Sequence, residues 1–154
     1  CGLDDCIRLL LPESCLRRNV DWGYAAAEAL MRDAPGRDAV FCTNDLIAVG
    51  LMAGLRDRGV RIPDDVAVCG FGGILSARQG AAPLTTVRVP VAREAALAAH
   101  LMADLIAGAE TTEPNRSELP CTLGVRASTD PAAGPDAGDE PACDPQSITT
   151  DRWK

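Results

Sequence analysis

Apolar residues recur in short blocks separated by polar turns, and the period of the blocks changes along the chain. Ile7-Arg8-Leu9-Leu10-Leu11 reads as a short strand ended by Pro12. After a polar loop, the Ala-rich stretch Gly23 to Met31 predicts a helix, with Asp21 as its N-cap and Pro35-Gly36 as its stop. Ala39-Val40-Phe41-Cys42 is a brief apolar run, the pattern of a parallel strand buried on both faces. Leu46, Ile47, Val49, Gly50, Leu51 and Leu55 then follow helical spacing, with Asn44 placed to cap and Gly59 to stop. Pro63-Asp64-Asp65 turns the chain into a second buried strand, Val66 to Phe71.

Strand, helix, strand, helix, strand with short connections predicts βαβ units. The expected fold class is therefore α/β, a parallel sheet flanked by helices. Right-handed crossovers follow by default. Beyond Phe71, Gly72-Gly73 and Gly80 to Pro83 bracket a loop. Leu84 to Val89 reads as a strand, Val91 to Ala107 as an amphipathic helix stopped by Gly108, and Glu118 to Val125 as a last strand. From Asp130 onward Pro, Gly, Ala and Asp dominate. Such a segment buries too little surface to offset its ordering entropy, so 130–154 is expected to be a disordered acidic tail.

The chain has 154 residues, 47% hydrophobic and 24% charged, the balance of one globular domain. No apolar run approaches the roughly 20 residues of a membrane span. The net charge of −7, with Arg scattered rather than clustered, argues against DNA binding by these residues alone. The seven cysteines form no C-x-x-C pair. Free thiols in a reducing, cytoplasmic setting are expected, rather than disulfides or a metal site. No cofactor, metal or catalytic residue is expected. Nucleophilic catalysis by Cys42 would need a base within reach. The only histidine, His100, lies mid-helix and far along the chain.

Four segments carry a family likeness: Ala39 to Gly50 (AVFCTNDLIAVG), Gly59 to Phe71 (GVRIPDDVAVCGF), Pro83 to Pro90 (PLTTVRVP), and Leu119-Pro120 running to Arg126-Ala127-Ser128-Thr129. In this order and spacing they resemble the C-terminal sensor region of LacI/GalR-family repressors, over about residues 20–129. The resemblance implies a partial lobe of the type I periplasmic-binding-protein fold. It also implies a small effector, of sugar or nucleoside class, held between two lobes beyond the carboxyl ends of the strands. Effector binding would shift the population of lobe arrangements, and so control a helix-turn-helix headpiece on operator DNA in a homodimer. On this mapping residues 1–129 are a partial sensor domain. The headpiece, the hinge and nearly all of the N-terminal lobe would lie upstream of Cys1, and 91–108 would be a helix of that lobe. A helix so placed has an apolar face with little to bury it, so marginal stability is expected. A transport-type sugar-binding protein, or a degenerate fragment without ligand, are the alternatives.

The resemblance also nominates residues. Asn44 stands where the strand meets the cleft; it contacts the effector, caps the next helix, or does both. Asp45 is expected to favour the helix N-terminus through the dipole. At Gly72-Gly73 the family usually carries two acids, the first of which accepts hydrogen bonds from the effector. Here that contact is lost or supplied by a backbone amide at Gly72. Trp22 is a candidate stacking residue for a sugar face or a helix-entry packing residue. Leu46, Val49 and Ala53, with the loop near 77–81, correspond to surfaces used for dimerisation, although the helix residues fit a core face equally well.

Overall fold

A computed structural model of the chain describes residues 20–33, 35–74, 78, 82–108 and 117–133. The expected strand at Ile7–Leu11, most of the loop near 77–81 and nearly all of the acidic tail lie outside these. The elements run α1 (Val20–Asp33), β1 (Ala39–Phe41), α2 (Asp45–Asp57), β2 (Ala67–Gly72), β3 (Thr85–Arg88), α3 (Val91–Ile106) and β4 (Thr122–Gly124). The sheet order is β1-β2-β3-β4. β1, β2 and β3 are parallel, and β4 returns antiparallel on β3 with Val87 opposite Leu123. The α/β class and the parallel sheet hold, with the last strand reversed.

α2 is the organising element. Ile47, Ala48, Leu51, Met52 and Leu55 are buried with Val68 of β2, Leu84 and Cys42 in one core. Asn44 caps it as expected: backbone φ is −156°, and Oδ1 accepts the Leu46 amide at 2.7 Å. Gly59 ends it at φ +79°. α1 begins at Val20, so Asp21 lies inside its first turn rather than at the cap. There the carboxylate still favours the positive helix end.

α1 and α2 pack backbone against backbone. A Cβ on Gly50 would lie 1.9 Å from the Val20 carbonyl oxygen, and one on Gly23 would lie 2.1 Å from that of Ile47. Gly54 faces Tyr24 in the same way. Contacts advance together along both helices, Val20 with Gly50 and Tyr24 with Gly54, so the helices run in the same direction. Tyr24 adds a hydrogen bond from its hydroxyl to Asp57 at 2.8 Å.

The expectation of strands buried on both faces is corrected. Phe41 is 59% exposed and Phe71 39%, although Val68 and Gly70 on the opposite face are buried. Periodicity cannot distinguish a doubly covered strand from one whose second face is bare, because both read as continuous apolar runs. α3 likewise has no buried residue.

The base of the sheet is closed by the segment after β4. The Ser128 hydroxyl, fully buried, donates to the Val68 carbonyl at 2.5 Å and accepts the Thr85 amide at 2.8 Å. The Ser128 backbone bridges the same two strands, its carbonyl accepting from Val68 N at 2.9 Å and its amide donating to Pro83 O at 3.0 Å. Thr85 Oγ1 accepts the Arg126 amide at 2.8 Å, and the buried Arg126 guanidinium donates to Leu84 O at 2.8 Å. The Arg-Ala-Ser-Thr motif is thus a clip that ties β2 to β3. Ser128→Ala leaves a buried donor and acceptor unmet and is expected to cost about 1–3 kcal/mol. The urea midpoint should fall with the slope unchanged; an unaltered midpoint would show that the clip carries no stability.

Candidate functional site

Three strands end on one edge. Cys42 to Asp45 follow β1, Gly72 to Ile74 complete β2 and its exit, and Arg88 closes β3. β1 and β2 are neighbours, so Asn44 and Gly72 lie at adjacent strand ends, whereas the first turn of α1, which carries Trp22, packs against α2 between Ile47 and Leu51. Trp22 is half-buried and packed against the core. That geometry matches the packing reading of Trp22 and leaves part of the indole exposed.

The residue that organises the edge is Asp45. Its carboxylate is 1% exposed, and both oxygens face inward. Oδ2 accepts the amides of Gly73 at 2.6 Å and Ile74 at 2.9 Å, while Oδ1 accepts the Thr86 hydroxyl at 2.6 Å. Asp45 thus ties the start of α2 to the exit of β2 and to β3, a role beyond the dipole effect expected of it. Gly70 makes room: a Cβ there would lie 2.3 Å from Asp45 Oδ1. Gly72 and Gly73 adopt φ of +128° and +78°, conformations that L side chains rarely take, and this turns the two amides onto the carboxylate. The amides of Gly73 and Ile74 are thus engaged by Asp45, and Gly72, the residue expected at the effector, takes no part in these bonds.

Asn44 is half-buried, and its Oδ1 is engaged by the cap, so Nδ2 is the part of the amide left for other contacts. Thr43 beside it is exposed. Sequence reasoning passed over Thr43, and Asp45's true role could be signalled only by the buried Gly70 and Thr86 that receive it. On α2, Leu46 is 38% exposed, whereas Val49 and Ala53 are half-buried. Spaced three and four apart, they form one stripe beside the fully buried Ile47, Leu51 and Leu55.

Cys42 and Cys69 are packing groups. Cys42 is buried and free, and burial first, then the neighbouring Cys69 and Asp45, pushes it up to about 12; Cys69 is raised as well, mainly by burial. His100 is exposed on α3, its Nδ1 bonded to the Ala96 carbonyl at 2.8 Å, so no base attends Cys42 from there. A thiol raised in the folded state stays protonated while the unfolded chain ionises. The stability it contributes is full below the ordinary thiol range near pH 9 and is lost as pH rises from there toward about 12. The expected loss from this group approaches about 1.4 kcal/mol per pH unit in that window. Urea titrations at pH 8 and pH 10 should show the loss in the wild type and a smaller one in Cys42→Val; equal losses would refute it.

Among the described residues no three His, Cys, Asp or Glu side chains group as a metal site, and no helix is long and apolar enough to cross a membrane.

Residues 9–129 match the family of periplasmic binding protein-like domains. The HTH-type transcriptional regulator CelR of Thermobifida fusca is 41% identical over 108 residues, covering 70% of this chain and 32% of the relative. Among solved structures, a transcriptional regulator CelR–cellobiose complex superposes with a TM-score of 0.67 at 40% identity, covering 72% of this chain and 34% of that one. A LacI family transcriptional regulator from Arthrobacter sp. FB24, in complex with lactose, gives 0.67 at 30% identity, covering 74% and 42%. The chain spans about a third of the length of the curated relatives it matches.

Proposed function

The chain belongs to the periplasmic binding protein-like domain family, as found in the C-terminal effector-binding region of LacI-type transcription regulators, and from this premise we propose that it senses a small-molecule effector for such a regulator. The observation that carries the reading is the edge itself. Asn44 and the Gly72-Gly73 exit meet at the carboxyl ends of parallel strands, where open α/β sheets hold ligands. Asn44, Gly72 and Trp22 are the proposed contacts, with Trp22 contributing what remains exposed of its ring. The effector is of sugar class, as in the CelR and Arthrobacter complexes, with nucleosides the next class to try. The role is non-enzymatic and cytoplasmic. Transcription is controlled through a DNA-binding headpiece elsewhere in the regulator, and the relatives named as regulators favour this over transport.

α3 is proposed to belong to the second lobe. Its lack of buried residues supports this, as does a shallow cavity of about 350 Å³ beside it, lined by Leu97, Leu101, Leu119 and Cys121 among others. Residues 1–129 are then a partial sensor domain that needs the other lobe to close the cleft. The regulator is proposed to be a homodimer through the stripe Leu46, Val49 and Ala53.

Ligand-dependent thermal stabilisation over a panel of sugars and nucleosides tests the reading, because a ligand that binds only the folded state raises stability by mass action. A shift for at least one sugar supports a sensor. No shift for any, measured in the regulator that carries both lobes, rejects it in favour of a degenerate domain.

A further inference from the structure

We draw no further inference here: the strongest candidate, the bare sheet face that carries Phe41 and the cross-strand row of Phe71, Val87 and Leu123, is an exposed apolar surface, and nothing in the structure shows what covers it.

Discussion

Asp45→Ala is expected to destabilise the domain by about 3 kcal/mol, since it strips the partner from one buried and two part-buried donors at once, and an orphaned donor costs up to about 1–3 kcal/mol when buried. The groups are the amides of Gly73 and Ile74 and the fully buried Thr86 hydroxyl. Against total stabilities of about 5–15 kcal/mol for ordinary domains, such a loss removes a large part of the margin. The diagnostic is the comparison with Asp45→Asn. A carboxamide can direct its oxygen at the two amides while its NH2 donates to Thr86 Oγ1, so this variant should cost only about 1 kcal/mol. Urea denaturation gives both values, and hydrogen exchange locates the effect: Gly73 and Ile74 amides should lose protection in Asp45→Ala before the α2 amides do. Equal losses for Ala and Asn would mean that the carboxylate's charge, rather than its hydrogen-bond geometry, matters at the edge.

Gly50→Ala inverts an expectation from helix propensity. Gly50 sits mid-helix in α2, where replacement of glycine by alanine ordinarily stabilises by about 1 kcal/mol. Here the new Cβ would lie 1.9 Å from the Val20 carbonyl oxygen and 2.8 Å from its carbon. These are backbone atoms and cannot rotate away, so the α1–α2 pair must separate. Separation loosens the core around Ala27, Leu30, Leu51 and Leu55. A cost of about 3 kcal/mol is expected, at the upper end of overpacking effects. Gly23→Ala meets the Ile47 oxygen at 2.1 Å and should behave alike. Ala25→Leu on the exposed face of α1 should change stability by less than about 0.5 kcal/mol. Thermal unfolding of the three variants checks the ordering. A stabilised Gly50→Ala would show that the helices do not pack backbone to backbone.

Much of the architecture was legible in the residues. Local chemistry announced α2 at both ends, through Asn44 and Gly59, and α3 through its amphipathic run and Gly108. The βαβ order followed from the spacing of apolar blocks. The family likeness rested on segments that do recur in the fold as β1–α2, the turn into β2, β3, and the clip at Arg126 to Thr129. What remained illegible depended on partners distant in sequence. Asp45 sits next to a cap residue and reads as a helix-end acid, yet its hydrogen bonds go to residues 28, 29 and 41 positions away. Gly23 reads as the start of the Ala-rich run and Gly50 as one more member of a helical pattern, and only the pairing of α1 with α2 gives them, with Gly54, a purpose.

The amino-acid sequence by itself determined the elements, their order and the α/β class, because periodicity, caps and stops act over a few residues. It also determined the candidate edge, since strand ends in such a sheet converge wherever the βαβ order is kept. Only the tertiary structure decided which polar groups at that edge face inward and which outward. It withdrew Asp45, engaged the Gly73 and Ile74 amides, left Asn44 Nδ2 and Thr43 outward, and left Phe41 and Phe71 exposed on the second sheet face. The physical reason is that burial and hydrogen-bond satisfaction are properties of neighbours in space. A carboxylate shows its charge to a ligand or to its own backbone according to what the fold sets beside it.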